Sequence, residues 1–211
     1  EWSMRIAVLI AVPAAVGLII LAGPLIITLF HGGEVDARSV GMSVLGLQAY
    51  AVGLVGFSFV KVLAPAFFAR EDTRTPVRIG IIALLANLAL GSSSAWYLSS
   101  SGFAGPHAAL AAATSFAAVL NAVLLYLGLR KADVIRHAPG WGGLLVRVTV
   151  ANAAMIAVLL QLHRAAAWWM AAGIADRIVW LAFSVAAGAG AYFVMLVVLG
   201  LRPAQFRMRH D

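Results

Sequence analysis

Six stretches of this chain are longer than about 18 residues and nearly free of charge, and a soluble globule has nowhere to bury so many apolar runs. They extend over roughly Met4–Phe30, Ser39–Phe68, Val77–Leu98, Ala108–Leu129, Leu144–Leu162 and Ile178–Leu201. At about 1.5 Å of rise per residue, a helix over each of them reaches across a hydrocarbon core of about 30 Å. The chain is therefore read as an all-α polytopic transmembrane bundle of six spans. Composition agrees, since only 11% of residues are charged and 63% are hydrophobic, where a soluble domain carries about 25% charged residues. A shorter apolar segment, Ala165 to Ala175, holds Trp168 and Trp169; it is too short to span and suits the headgroup interface.

The formal charge of +7 does not point to nucleic acid, because the basic residues cluster between the apolar runs instead of forming one soluble face. Alternating spans put Arg5, Lys61, Arg70, Arg74, Arg78, Arg130, Lys131, Arg136, Arg147, Arg202, Arg207 and Arg209 on one side. Only Arg38, Arg164 and Arg177 fall opposite, so twelve of the fifteen lysines and arginines share a side. The positive-inside rule then predicts that both ends face the cytoplasm. Cysteine is absent, which excludes disulfides and thiolate metal sites. The five histidines, His31, His107, His137, His163 and His210, show no metal-ligand spacing. No catalytic residue is assigned, because no nucleophile–base pairing or phosphate-binding loop is present. The first residue is Glu1 and an apolar run follows at once, so the chain reads as a piece of something longer.

The most informative segment is KVLAPAFFAREDTRTPVR, from Lys61 to Arg78, which joins the second and third spans. Pro65 is expected to break the second helix, the charged residues to pair in the loop, and Thr75 with Pro76 to start the third helix as cap and first-turn proline. Together with LAGPLIITLFHGGE at the end of the first span, GLRKADVIRHAPGW before the fifth and AAGAGAYFVMLVVLGLRP in the last, this segment resembles the MurJ/MviN family of lipid II flippases. The resemblance covers essentially the whole chain.

It implies a fourteen-helix, two-lobed transporter of the MOP superfamily, of which these spans match the last six. Residues 1–135 would then complete the second lobe, and residues 136–211 would be an appended helix pair lining a groove for the polyprenyl tail. The implied substrate is the undecaprenyl-linked peptidoglycan precursor, moved across the bacterial inner membrane by alternating access. The implied partners are lipid II, membrane lipids and the missing N-terminal helices, with no nucleic acid. No cofactor is expected, and coupling to the membrane potential or to a cation stays open. The alternatives are an exporter of another polyprenyl-linked glycan or drug, and a membrane-embedded transferase. The transferase needs a carboxylate pair or a cavity-facing histidine, and neither is visible in the sequence.

Four groups of candidate site residues follow. Lys61 carries a charge inside a span, which costs about 2.5–3.5 kcal/mol at a helix centre; snorkelling to the nearby surface is the favoured reading and contact with a substrate pyrophosphate the functional one. Arg70, Asp72 and Arg74 are gate or headgroup candidates whose simpler role is topology and solvation. Ser184, Gly188, Gly190 and Tyr192 are candidates for helix packing first and the lipid-tail groove second. Asn87 and Thr114 are candidates for a cation site, weighed against an ordinary interhelical hydrogen bond and weakened by the absence of a carboxylate on their helices.

Overall fold

A computed structural model describes residues 2–30, 37–100, 106–135 and 140–201. His31, Arg136, His137, Arg202, Arg207, Arg209 and His210 lie outside the described residues. The described residues form helices α1 (Trp2–Phe30), α2 (Ala37–Phe68), α3 (Arg74–Ser100), α4 (Pro106–Lys131), α5 (Trp141–Gln161), α6 (Ala166–Ala171) and α7 (Ile174–Val198). All except the short α6 are long and apolar enough to cross a membrane, six in total, and no strand occurs among the described residues. Their outer faces suit lipid: Ile81, Leu84, Leu85 and Leu88 on α3 are each more than half exposed, an apolar patch that water would not tolerate on a monomer.

Three boundaries differ from expectation. α2 runs through Pro65 to Phe68 unbroken, because the proline stands only one turn from the helix end and removes a single backbone donor there. α3 begins at Arg74, ahead of Pro76, and its cap is Asp72: the Thr75 N–H donates to Asp72 Oδ1 at 3.0 Å. Thr75 is thus the donor, not the cap. α7 begins at Ile174, because Asp176 and Arg177 belong to its first turn. An acid is favoured at a helix N-terminus, and the buried Arg177 donates to the Met170 carbonyl at 2.9 Å.

The packing order is not the chain order. α4 lies between α2 and α3, which barely touch each other, and α1 lies between α2 and the α5–α7 pair. Small residues set the closest approach: a Cβ at Gly56 would fall 2.7 Å from the Val119 backbone nitrogen and 2.8 Å from the Ala118 carbonyl carbon. A turn away, Gly53 faces Ser115, whose hydroxyl donates to the Ala49 carbonyl at 2.6 Å. Such close crossings give transmembrane helices the dispersion contact that water would otherwise drive.

Three helices stop in the same way. After α2 the Asp72 N–H reaches the Phe67 carbonyl and Glu71 N–H the Phe68 carbonyl, with Glu71 at φ 60°. After α4, Val134 bonds to Leu129 and Asp133 to Arg130, with Asp133 at φ 54°; after α7, Leu201 bonds to Leu196 and Gly200 to Val197, with Gly200 at φ 79°. These are Schellman stops, in which a left-handed residue lets two N–H groups turn back onto the last carbonyls. All three are at the end of the bundle that also holds the start of α1, α3 and α5. The opposite end is closed by α6, where Trp169 is buried with Ile26, Ile27 and Val40. There Arg164 stacks on Trp168 at 5.3 Å and Trp180 at 4.3 Å, so the interfacial tryptophan segment is a short helix held by cation–π contacts.

Candidate functional site

The backbone of α1 positions one wall of an apolar cavity. Pro13 carries no N–H, so the Leu9 carbonyl one turn back loses its helical donor. Tyr192 of α7 supplies the replacement: its hydroxyl donates to Leu9 O at 2.9 Å, and its side chain is 1% exposed. Pro24 frees the Ile20 carbonyl in the same manner, and Gln48 of α2 donates to the adjacent Ile19 carbonyl at 3.1 Å. At Pro13 a neighbouring helix thus satisfies the carbonyl that the proline exposes to a solvent without hydrogen bonds, whereas the Gln48 contact reaches the carbonyl beside the freed one.

Around the Tyr192 contact, α1, α5 and α7 frame an open-sided cavity of about 320 Å³ lined by Pro13, Gly17, Leu21, Met155, Leu159, Gly188, Tyr192 and further apolar side chains. That volume is at the lower end of the range of about 300–1,000 Å³ typical of ligand sites. Gly188 makes room for Leu159, whose Cδ2 would stand 2.9 Å from an added Cβ, whereas Gly17 borders open space.

The candidate residues of α7 divide between two faces. Ser184, Gly188 and Tyr192 are buried in one stripe with Leu196, and Gly188 and Tyr192 line the cavity. The Ser184 hydroxyl bonds back to the Trp180 carbonyl at 2.8 Å. Gly190 is exposed, and an added Cβ there would meet nothing within 4 Å among the described residues. It lines neither the cavity nor a helix contact.

The elbow between α2 and α3 spans the end of α4, to which it is clipped: Arg70 donates to the Ala132 carbonyl at 3.3 Å. The Thr75 hydroxyl and N–H together hold the Asp72 carboxyl below its ordinary pKa, and the Arg74 N–H and the Arg70 charge act in the same direction. Arg70 and Asp72 therefore have structural work, whereas Arg74 and Lys61 are exposed. Lys61 lies on the outer face of α2 with Phe57, Pro65 and Phe68, all exposed, and the missing proline N–H leaves the Lys61 carbonyl without its helical donor. The elbow and Lys61 share an end of the bundle, and neither lines the apolar cavity between α1, α5 and α7.

Thr114 and Asn87 do meet, with the Thr114 hydroxyl 3.4 Å from Asn87 Oδ1 and 2.9 Å from the Leu110 carbonyl. Two side-chain oxygens joined by a hydrogen bond fall short of the six or more that a hard cation takes. Among the described residues no group of three acidic or histidine side chains is placed to hold a metal. The sequence reading named Tyr192 for packing but not as the donor to the Leu9 carbonyl that Pro13 frees, and it missed Gly53 and Gly56. The proline was a visible signal; the tyrosine 183 positions from Leu9 was not visible as its partner.

The family profile described as lipid II flippase MurJ matches residues 1–180. A probable lipid II flippase MurJ of Vibrio cholerae serotype O1 is 37% identical over 202 residues, covering 96% of this chain and 37% of the relative. The lipid II flippase MurJ of Burkholderia cenocepacia is 37% identical over 211 residues, with 99% and 39% covered. A probable lipid II flippase MurJ of Haemophilus influenzae is 35% identical over 202 residues, with 96% and 38% covered. The chain thus spans less than two-fifths of the length of these relatives, and with its six membrane-crossing helices it belongs to the lipid II flippase MurJ family.

Proposed function

We propose that this chain is the C-terminal part of a flippase that carries lipid II, the undecaprenyl-linked peptidoglycan precursor, across the bacterial inner membrane. In this reading residues 1–135 belong to the C-terminal lobe, and residues 136–211 form an appended helix pair whose contact with α1 holds part of the polyprenyl tail. The observation that carries it, beside the family match, is the apolar cavity between α1, α5 and α7. Its volume admits a section of an isoprenoid chain, so the remainder of the tail runs along the lipid-facing surface. Alternating access needs two lobes rocking about a midplane site, so the partner of this half is the set of helices that the relatives carry in addition. The basic end of the bundle, with Arg70, Arg74, Arg130 and Arg147, faces the cytoplasm in keeping with the positive-inside rule.

The test is Gly17→Leu in the full-length protein, which fills the cavity from a position where an added Cβ meets no neighbour within 4 Å. Lipid II translocation should fall at least several-fold while expression and thermal midpoint stay at the wild-type level. Unchanged translocation would remove the groove from the mechanism. Orientation is read separately by labelling Arg74→Cys with a membrane-impermeant maleimide in intact spheroplasts, where protection is expected.

A further inference from the structure

One face of α2 is left uncovered by the other described helices. The main neighbours of α2 are α4, against which Gly53 and Gly56 pack, and α1, which Gln48 reaches. Away from both, Tyr50, Phe57, Lys61 and Phe68 follow one another at seven, four and seven residues, a spacing that holds them on one stripe of a helix. All four are exposed. The stripe differs from the aliphatic outer face of α3 because it carries polar groups that hydrocarbon cannot serve. Lys61 stands seven residues before the end of α2, about 10 Å inside it, and its ammonium makes no ion pair or hydrogen bond among the described residues. Pro65, exposed as well, removes the helical donor of the Lys61 carbonyl. The side chain can snorkel toward the surface, whereas the carbonyl is fixed at its depth.

We propose that this stripe is an internal docking surface: an apolar helix from the part of the full-length protein outside these 211 residues packs on it and carries a carboxylate opposite Lys61. The inference rests on the reading that this chain is part of a larger flippase, and the relatives, of which it spans less than two-fifths, have the additional length for such a helix. Charge sets the chemistry of the partner, since a cation inside a span is costly unless it pairs or meets water. All eight acidic residues of this chain lie outside the spans or, as Asp176 does, in a first turn. A carboxylate at the depth of Lys61 therefore comes from beyond these residues. Lipid tails supply no such group, and a second copy of this chain brings none either. The aromatic rings favour a packed helix over a water-filled path: Tyr50, Phe57 and Phe68 offer large apolar area on both sides of the lysine, and covering them keeps water away from the ion pair.

The contact is tested in the full-length protein in native membranes with the photo-crosslinking substitution Phe57→p-benzoylphenylalanine, and with Tyr50→p-benzoylphenylalanine where the first variant fails to fold. After irradiation and digestion, mass spectrometry should join the probe to a segment of the same polypeptide outside these 211 residues, with an acidic residue within about two helical turns of the crosslink. Lipid adducts alone, crosslinks between two copies, or no adduct at all overturn the docking surface. The ion pair is read from the thermal midpoint of the detergent-solubilised protein. Lys61→Met should lower it and Lys61→Arg should hold it. Neutralising the acid found by crosslinking should lower it alone but restore part of the loss in the Lys61→Met background, because it removes a charge left without its partner. A crosslinked segment without an acid, an unchanged midpoint in Lys61→Met, or the absence of that rescue overturns the carboxylate assignment. None of these readouts measures transport, so their failure leaves the flippase reading and the apolar cavity standing.

Discussion

Tyr192→Phe isolates the one hydrogen bond that ties α7 to the proline turn of α1. The hydroxyl donates to Leu9 O at 2.9 Å from a residue 1% exposed, and Pro13 has removed the donor that this carbonyl would otherwise have. Interhelical hydrogen bonds in membranes average about 0.6 kcal/mol and reach about 1.7 kcal/mol. An acceptor without a helical partner places this one in the upper part of that range, because losing the hydroxyl strands a buried carbonyl, at a cost of about 1–3 kcal/mol in general. The expected loss for Tyr192→Phe is therefore about 1.5 kcal/mol. In a Pro13→Ala background the alanine N–H reaches Leu9 O again, and the same substitution should cost less than about 0.5 kcal/mol, leaving a coupling of about 1 kcal/mol. The cycle is measured by titrating detergent-solubilised protein from dodecylmaltoside into dodecyl sulfate, following tryptophan fluorescence and helical circular dichroism. Equal costs in the two backgrounds would refute the argument, since the tyrosine would then be acting through packing alone.

Two further outcomes are expected. Gly56→Val should lower the thermal midpoint sharply and cut the yield of folded protein, with a cost above the usual overpacking penalty of about 1–3 kcal/mol, because the new Cβ meets backbone atoms of α4 that cannot rotate away; Gly80→Ala, which meets nothing within 4 Å, is the control, and a wild-type midpoint for Gly56→Val would contradict the close crossing. Glu71→Gly should raise stability by about 0.5–1 kcal/mol, since relief of a left-handed residue is worth about 1–2 kcal/mol and the glycine's added chain entropy takes back about 0.5–1 kcal/mol; a fall in the dodecyl sulfate midpoint would show that Glu71 has a role outside the turn.

What the sequence made legible is what a one-dimensional pattern records. The spans, their number and the alternation of basic ends follow from apolar length and charge, and the helix ends agree to within a few residues except where polar residues enter a helix, as Asp176 and Arg177 do. Stops were less legible: Gly200 announces a left-handed turn, but Glu71 and Asp133 adopt the same conformation without a glycine to mark them. For the candidate site, small residues spaced four apart on the last span identified the buried stripe of Ser184, Gly188 and Tyr192. The same spacing rule admitted Gly190, which the helix turns outward. Membrane helices are apolar all round, so composition does not say which face meets a neighbour. Partner choice was hidden for the same reason, and nothing in the sequence separates α2 from α3 by the width of α4.

The position of α1 joins these observations. It packs on α2 along one side and on α5 and α7 along the other, and each of its internal prolines has a polar side chain from a different neighbour beside the turn it disturbs: Tyr192 from α7 at Leu9, and Gln48 from α2 at Ile19. A proline in a helix weakens it locally and allows a bend. The proline turns of α1 are therefore tied to the two groups of helices it connects, and a shift of α2 against α7 has to be absorbed there. Because α1 also forms one wall of the apolar cavity, movement within the α1–α4 group cannot leave that cavity unchanged. Coupling between the two requires no element beyond a helix that both share, and its carriers are two carbonyl contacts that substitutions at Tyr192 and Gln48 can remove one at a time.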